Sequence, residues 1–422
     1  MRARPSADRM RQVLIHWSPG AHMVSAIWAL GAQDRMSMRV LVVTESFLPT
    51  LNGVTTSVCR VLEQLSRLGH DAEVIAPGEA PESFAGAKVH RLPRVQVREF
   101  PVGLPVATME SVFSRFAPDV VHAASPFVVS ARALTLARRY RVPSVAIYQT
   151  DMPAYIAQHA PRLLGTGPET GAWRWIRRTH NRASRTLAPS SATLQALREH
   201  GVERTGLWRR GVDLSLFTAH RGAPDVAALR RRLAPGGELL VGYVGRLAPE
   251  KEVHRLAEAA GMPGTRLVVV GDGPDRAATA AALARATRER GTGPEPVLLG
   301  RLEGRELAAA YAALDVFVHT GTKETFGQTL QEAAASHLPV VAPARGGPLD
   351  LIDHGRTGLL FEPDQPGSLR DQVGRLVNSP ALREAIAAAG HAEVQARSWP
   401  ALTAQLLEHY EAVRSPELFR AA

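Results

Sequence analysis

The chain has 422 residues, enough for two ordinary α/β domains, and its hydrophobic content of 45% is that of a globular protein. Its only cysteine, Cys59, excludes an internal disulfide, fits a reducing compartment and is expected to be a small buried residue of a helix. No apolar run reaches transmembrane length and no Cys/His cluster has metal-ligand spacing, so the sequence predicts neither a membrane-spanning segment nor a zinc site.

The formal net charge of +10 lies mainly in the first half of the chain. Residues 38–212 hold 22 basic and 13 acidic side chains, whereas residues 213–422 hold 23 and 25. This asymmetry predicts an anionic partner for the first half alone. Nucleic acid is not expected to be that partner, because no nucleic-acid motif or aromatic-basic strip occurs. We expect an anionic membrane surface instead.

The first predicted βαβ unit begins at Arg39. Arg39–Val43 reads as a buried strand, apolar residues then recur at helical spacing, and Asp71–Ala76 is the second strand. Gly53 stands at the entrance of the helix, where a glycine lets the backbone approach a ligand and the helix terminus face a phosphate. A plain turn glycine is the alternative. The G-x-G-x-x-G fingerprint is absent, so no dinucleotide cofactor is expected.

Two later strands of the first half end in polar residues. His122 ends Pro118–His122, at the position where strands of open α/β sheets line ligand clefts, although a half-buried histidine at a strand tip is the simpler alternative. The next strand leads into Tyr148-Gln149-Thr150-Asp151, where Asp151 either meets an acceptor hydroxyl or caps a helix. The segment from Trp173 to Arg178 predicts an aromatic-basic helix, with either a lipid-facing or an ordinary solvated face.

A second βα series starts at Leu239. The strand Leu240–Val244 is followed by Gly245-Arg246-Leu247-Ala248-Pro249-Glu250-Lys251. Arg246 and Lys251 on a glycine-led turn can clamp a diphosphate from two sides, with a random surface pair as the alternative. Further predicted strands and their turns are Arg266–Val270 with Gly271–Pro274, and Val297–Leu299 with Gly300–Leu302.

Two carboxylates bracket the next strand-to-helix junction. Asp315–His319 is a buried strand, and helix is expected from about Thr325, which puts Glu324 on the turn and Glu332 about two turns into the helix. This arrangement suits a long ligand that carries hydroxyls on both sides of a phosphate, because the helix terminus faces the phosphate. A capping glutamate and a solvated one are the alternative.

These motifs resemble those of the retaining GT-B glycosyltransferases of family four, from about Arg39 to Val413. The shared pattern includes Glu-x7-Glu with Phe-Gly after the first glutamate, Gly-Arg-Leu followed by Glu-Lys, and Gly346-Gly347. Within the family, the sequence is most similar to actinobacterial GDP-mannose-dependent α-mannosyltransferases that act on lipid acceptors. That similarity lies in residues 44–49, 52–55, 148–151, 325–333 and 346–350.

The resemblance implies an α/β GT-B fold in which two Rossmann-like domains face a cleft. We expect residues 38–212 to form the acceptor-side domain and residues 213–398 the sugar-nucleotide domain. Residues 399–422 are expected to form a C-terminal helix that returns to the first domain. Residues 1–37 have no clear period, and we predict a disordered extension or a mis-called start.

The resemblance also implies roles for single residues. Arg246 and Lys251 match the diphosphate clamp, Glu324 the sugar contact and Glu332 the ribose contact. His122 matches a histidine that touches the transferred sugar. The expected catalytic residues are His122, Arg246, Lys251 and Glu324. The expected donor-binding residues are Gly53, Arg246, Lys251, Gly271, Asp272, Arg301, Glu324, Phe326, Gly327, Gln328 and Glu332, and the expected acceptor contacts are Asn52, Tyr148 and Asp151.

The implied enzyme moves a hexose, mannose from GDP-mannose, to a lipid or glycan acceptor, as a cytoplasmic protein attached peripherally to the inner membrane face. No Asp-x-Asp motif ends a strand, so neither a metal nor another cofactor is expected. Glu252 departs from the family pattern, because a glycine commonly follows the clamp lysine. The alternatives are a UDP-sugar donor of glucosyl or sulfoquinovosyl type, a sugar-nucleotide 2-epimerase and a degenerate sugar-nucleotide binder.

Overall fold

A computed structural model of the chain describes residues 37–50, 52–97, 100–104, 106–125, 127–150, 152–153, 167–218, 222–290 and 293–415. The predictions made for the N-terminal extension and for Asp151 therefore lie outside the described residues, apart from Ser37. The predicted C-terminal segment is described only as far as residue 415.

The first domain is built on an eight-stranded sheet. The described residues of this domain form ten strands, eight of which belong to that sheet. They are β1 (Arg39–Val43), β2 (Asp71–Pro77), β3 (Ser83–Phe84), β4 (Ala87–Leu92), β5 (Arg94–Val97), β6 (Phe100–Gly103), β7 (Val120–Ala123), β8 (Ser144–Ile147), β9 (Arg185–Ala188) and β10 (Thr205–Leu207). The order is β10-β9-β8-β7-β1-β2-β4-β3, parallel except for the edge strand β3, and β5 and β6 form a separate antiparallel pair. Residues 40–43 of β1 are fully buried, since a central parallel strand is covered on both faces.

Helices cover both faces of this sheet. They are α1 (Gly53–Arg67), α2 (Thr108–Phe116), α3 (Val128–Arg139), α4 (Gly167–His180) and α5 (Ser191–Glu199). On α1 the buried positions include Val58, Val61, Leu62 and Leu65, at the helical spacing that the sequence shows. The strand and helix predicted after Arg39 are thereby confirmed.

The second domain is built on a six-stranded parallel sheet with the order β13-β12-β11-β14-β15-β16. Its strands are β11 (Leu239–Val244), β12 (Thr265–Val270), β13 (Val297–Gly300), β14 (Val316–Val318), β15 (Val340–Pro343) and β16 (Leu359–Phe361). Its helices are α6 (Pro224–Leu233), α7 (Arg276–Arg290), α8 (Gly304–Ala313), α9 (Gln328–Ala335), α10 (Ser368–Asn378) and α11 (Pro380–Val394). Three-residue to seven-residue 3₁₀ turns lie at Pro249–Lys251, Val253–Ala259, Gly347–Asp350 and Gln395–Arg397.

The chain crosses between the domains twice, near Val212 and near Ser398, and the two crossings lie side by side. The Val212 amide donates to the Arg397 carbonyl at 3.0 Å, and Val212 forms an isolated bridge with Ser398. The last described helix, α12 (Trp399–Arg414), then contacts the first domain, where the Trp208 indole Nε1 donates to the Leu402 carbonyl at 2.7 Å. Among the described residues, no helix combines the length and apolarity needed to cross a membrane.

The helix after β14 begins later than predicted. It starts at Gln328 instead of about Thr325, so Glu332 is its fifth residue, not a residue two turns inside it. Gly327 precedes it with a φ of 103°, a conformation that strains any residue other than glycine. A Cβ at Gly327 would also lie 2.9 Å from Leu330 Cδ1. The turn is therefore longer than predicted, and Glu324 lies in it, four residues before the helix begins.

Candidate active site

Glu324 and Lys251 form an ion pair across the second domain. Lys251 ends a 3₁₀ turn after β11, and its Nζ lies 2.7 Å from Glu324 Oε2. Oε1 of the same carboxylate accepts the Phe326 amide at 3.4 Å. Burial alone would raise the pKa of Glu324, but the charge of Lys251, with His319 and these hydrogen bonds, lowers the pKa to about 2. Glu324 is therefore ionised at neutral pH.

Glu332 lies in a different electrostatic setting on α9. Its Oε2 accepts the hydroxyl of Tyr311, a buried residue of α8, at 2.9 Å. Burial raises the pKa of Glu332 to about 7, and Tyr311, Arg210 and Gln328 only partly offset that shift. Glu332 can therefore gain or lose a proton near neutral pH, unlike Glu324.

Arg210 lies close enough to Glu332 for their charges to interact, and sequence reasoning missed it. Its guanidinium donates to the Gly53 carbonyl at the start of α1, and its own carbonyl accepts Gln331 Nε2 at 2.8 Å. Burial lowers the pKa of Arg210, and the charges of Glu324 and Glu332 raise it in return. The signal that could have found it is its place just before the interdomain crossing at Gly211.

The two clamp cations differ in exposure. Arg246 is largely exposed and pairs with Glu250, whereas Lys251 is partly buried against Glu324. The turn that carries Arg246 packs backbone to backbone on the turn after β12, where Gly271 has a φ of 136°. A Cβ at Gly271 would lie 1.9 Å from the Gly245 carbonyl oxygen, so this close approach requires glycine.

Asp272 and Arg301 lie at the exposed rim of the second domain. Asp272 accepts the Gly273 amide at 2.8 Å and Arg276 at 3.2 Å. Arg301 donates to Glu303 at 2.7 Å. Both side chains remain more than half exposed, so a ligand can reach them without a change in the fold. Their predicted contact with the nucleotide stays a prediction.

Glu324, whose carboxylate pairs with Lys251, lines a cavity of about 190 Å³ between the two domains. Its wall on the first domain includes Tyr148 and Trp173, whose rings stack with centroids 6.3 Å apart. Trp173 also stacks on His200, with the ring centroids 3.7 Å apart. The complete lining is Tyr148, Trp173, Ala192, Thr193, Ala196, Thr322, Lys323, Glu324, Thr325 and Gly346.

His122 does not lie with these residues. Its ring is only 2% exposed, and its Nδ1 shares a hydrogen bond of 2.6 Å with the Tyr410 hydroxyl of α12. Burial lowers the pKa of His122 to about 3, so the ring is neutral. α12 covers the ring in this structure, and the predicted contact of His122 with a transferred sugar stays a prediction.

Asn52 and Phe326 have structural contacts of their own, and their predicted ligand contacts stay predictions. Asn52 is the N-cap of α1: its Oδ1 accepts the Val54 and Thr55 amides at 3.0 Å, and its Nδ2 donates to Ser46 at 2.7 Å. Both ends of the amide are thus engaged. The Phe326 ring is 2% exposed and belongs to the core, which leaves only its backbone near Glu324.

Gln328 and Glu252 support the turns on either side of the pair. Gln328 Nε2 donates to the Gly211 carbonyl at 3.1 Å, which ties α9 to the crossing and not to the open site. Glu252 has a φ of 48°, the left-handed conformation that explains the glycine expected there. Its carboxylate accepts Thr322 Oγ1 at 2.8 Å and Arg255 Nε at 2.6 Å. Within the described residues, no three His, Cys, Asp or Glu side chains are placed to hold a metal ion.

Two family models match the chain, Glycosyltransferase Family 4 over residues 51–216 and Glycosyl transferases group 1 over residues 227–393. The GDP-mannose-dependent alpha-mannosyltransferase of Mycobacterium tuberculosis (strain CDC 1551 / Oshkosh) is 45% identical over 397 residues, which cover 91% of this chain and 99% of the relative. The protein of the same name from Mycolicibacterium smegmatis is 44% identical, with 91% and 100% covered.

A solved structure of similar fold is that of Anabaena HepE in complex with UDP. It matches with a TM-score of 0.73 at 20% identity, over 89% of this chain and all of that one. The two parallel sheets are thus those of a GT-B fold. Together with the matches over both domains, this shows that the chain belongs to glycosyltransferase family 4 and is a glycosyltransferase of the GT-B fold.

Proposed function

We propose that this glycosyltransferase moves a mannosyl group from GDP-mannose to a lipid or glycolipid acceptor, with retention of anomeric configuration. The observation that carries the proposal is the Lys251–Glu324 ion pair, whose carboxylate lines the interdomain cavity. It places a cation and a carboxylate side by side, as a sugar diphosphate requires. The 45% identity to a GDP-mannose-dependent relative supports the choice of donor.

The proposed chemistry uses positioning and charge. Lys251, Arg246 and the N-terminus of α9 neutralise the diphosphate as the bond between the sugar C1 and the phosphate oxygen breaks. Glu324 holds sugar hydroxyls, and Glu332 holds the ribose. The acceptor oxygen attacks C1 from the face that the diphosphate leaves, and its proton passes to the leaving phosphate oxygen. The two domains supply the orientation that makes this attack efficient.

We place the acceptor in the cavity between the domains. Tyr148 and Trp173 form its aromatic wall on the first domain, and Lys323 and Glu324 lie on the opposite side. An apolar ring wall facing polar groups suits a sugar ring, which has both kinds of surface. The space of about 190 Å³ is of the size of one ring, so we expect a single acceptor sugar or headgroup there.

We further propose that α4 brings the enzyme to an anionic membrane. Its outer face exposes Arg174, Trp175, Arg177 and Arg178, whereas Trp173 points inward. Basic residues near an anionic surface each contribute about 1 kcal/mol to binding. The same face would then hold the cavity close to a lipid acceptor.

A donor panel tests the proposed reaction. The purified protein is mixed with GDP-mannose, GDP, UDP-glucose and UDP, and thermal shift and donor hydrolysis are measured. GDP-mannose and GDP should stabilise it, because ligands that bind only the folded state raise its stability with concentration. Stabilisation by UDP and UDP-glucose alone would contradict the mannose proposal, and release of an altered free sugar nucleotide would favour a 2-epimerase.

The substitution Glu324→Gln tests the role of the pair. We expect transfer to fall about 100-fold or more, as when one group that stabilises a transition state is removed. GDP binding should persist, because the diphosphate clamp is intact. Unchanged transfer would contradict the role proposed for Glu324, and the absence of any transfer by the native chain would favour the degenerate-binder alternative. The exposed residue Glu384 offers a matched control as Glu384→Gln, which should transfer sugar like the native chain.

Vesicle binding tests the membrane proposal. Vesicles with and without an anionic lipid are sedimented with the protein at low and high salt. The double variant Arg174→Gln/Arg178→Gln should bind anionic vesicles about 30-fold more weakly at low salt. The control Arg285→Gln/Arg288→Gln changes two exposed arginines of α7 and should bind normally. Binding that ignores salt and lipid charge would refute the proposal.

A further inference from the structure

His319 is a buried histidine for which the proposed reaction has no use. It follows β14 directly, is 2% exposed and, among the described residues, makes no hydrogen bond of good geometry at either ring nitrogen, although the Gly321 backbone interacts with the ring and raises its pKa. Its Nε2 lies 3.7 Å from Glu324 Oε2, and the Gly321 backbone is also near the ring. Buried polar groups without partners are rare, so this ring is expected to gain one in another state of the site.

The ammonium group of Lys251 has two possible partners, the Glu324 carboxylate and the donor diphosphate. Without donor it is held by Glu324 at 2.7 Å, whereas the proposed function needs it at the diphosphate. As the ammonium turns to phosphate, the Glu324 carboxylate loses its strongest partner in a partly buried position. A carboxylate there needs another donor if it is to stay ionised and hold sugar hydroxyls.

We propose that His319 is a positioning residue, which donates a hydrogen bond from Nε2 to Glu324 when Lys251 turns to the donor diphosphate. This inference rests on the proposed roles of Lys251 and Glu324. His319 thereby frees the lysine for the phosphate and keeps the carboxylate in place.

The geometry and charge of the ring fit this role. Closing the 3.7 Å gap by about 0.8 Å reaches an ordinary N–H···O distance. Burial lowers the pKa of His319 to about 4, although Glu324 opposes that shift, so the ring is neutral at neutral pH and keeps one N–H to donate. A neutral donor supports the carboxylate without adding a cation that would compete with Lys251.

The test is a cycle of four proteins titrated with GDP by calorimetry: native, His319→Phe, Glu324→Gln and the double variant. His319→Phe should lower GDP affinity about tenfold, because Glu324 then retains Lys251. In the Glu324→Gln background the same change should cost less than about twofold, since no carboxylate competes for the lysine. His319→Gln, whose amide can donate, should restore most of the native affinity.

Equal losses of GDP affinity in both backgrounds would overturn the proposal, because they would mean that His319 contacts the nucleotide or merely supports the fold. No loss in either background would overturn it as well. The exposed His254, three residues after Lys251, provides the control His254→Gln with native affinity. If the native chain binds UDP and not GDP, the mannose proposal fails, but the cycle is run with UDP and decides the role of His319 independently.

Discussion

Glu324 and Glu332 show how neighbouring carboxylates acquire opposite properties from their surroundings. Both are buried, and the loss of water around a carboxylate raises the pKa of its carboxyl group. Lys251 lies in direct contact with Glu324 and overrides that cost, whereas Glu332 has the neutral hydroxyl of Tyr311. Glu324 is consequently a fixed charge, and Glu332 is the group that titrates near neutrality.

Glu332→Gln should change the pH dependence of stability. The pKa of Glu332 rises from 4.5 to about 7 in the folded chain, so its proton stabilises that chain fully below about pH 4.5 and this contribution is lost as the pH rises through about 7. The variant should raise the free energy of unfolding by about 1–3 kcal/mol at pH 8 and have little effect at pH 4. Urea unfolding at both pH values measures this. A gain that is equal at pH 4 and pH 8 would show that the carboxyl does not titrate as described.

At the scale of elements, α12 explains the fate of His122. The Tyr410 hydroxyl of this helix shares a hydrogen bond with His122 Nδ1, and its Leu402 carbonyl accepts a hydrogen bond from the Trp208 indole. The His122 ring also meets Trp208 and Tyr410 edge to face, with centroids 6.4 Å and 6.0 Å away. A strand-end histidine that resembles a catalytic one is thus used to hold the last helix.

Tyr410→Phe should therefore affect stability more than catalysis. Removing the hydroxyl leaves a buried ring nitrogen without its partner, which costs about 1–3 kcal/mol in the free energy of unfolding. GDP affinity and the rate of transfer should stay within about twofold of the native values, a change of less than about 1 kcal/mol in free energy. Denaturant titration and initial rates measure the two effects. Tyr140→Phe, at a partly exposed hydroxyl, is the control for stability. Loss of transfer with unchanged stability would support the predicted contact of His122 with the transferred sugar.

At the scale of the whole molecule, Asp350 holds the domains against each other. It ends the turn Gly347–Asp350 of the second domain, and its Oδ2 accepts the Ser191 amide at 2.8 Å and the Ser191 hydroxyl at 3.0 Å. Arg209, before the crossing, lies 3.2 Å from the same oxygen. Ser191 is the first residue of α5, so a negative charge there is favourable. One side chain thus links both domains and the crossing.

Asp350→Ala should loosen the arrangement of the domains. Loss of these hydrogen bonds removes about 1–3 kcal/mol from the closed arrangement, because Asp350 is buried. We expect a larger radius of gyration by small-angle scattering without ligand, and a GDP affinity lower by about tenfold, as a conformational equilibrium then opposes binding. Asp364→Ala changes an exposed carboxylate of the same domain and serves as the control. An unchanged radius and affinity would show that other contacts hold the domains.

Much of the fold and part of the candidate site could be predicted from local patterns. The valine-rich runs are buried strands because a covered parallel sheet accepts apolar residues on both faces. Arg246, Lys251, Glu324 and Glu332 could be found because each stands at a strand end or helix start. The left-handed conformation of Glu252 explains why a glycine is expected at this position, and it does not explain why this chain has a glutamate there.

The sequence by itself thus determined the fold class through the spacing of its apolar residues and the family through its resemblance to known motifs, and it predicted the four charged groups. Only the tertiary structure decided which partners the side chains have. Tyr410 covers His122 from the far end of the chain, Arg210 reaches Gly53 from the crossing, and His319 comes within 3.7 Å of Glu324. The direction of a side chain and its partner depend on packing between segments that are remote in sequence, and spacing along one segment carries no information about them.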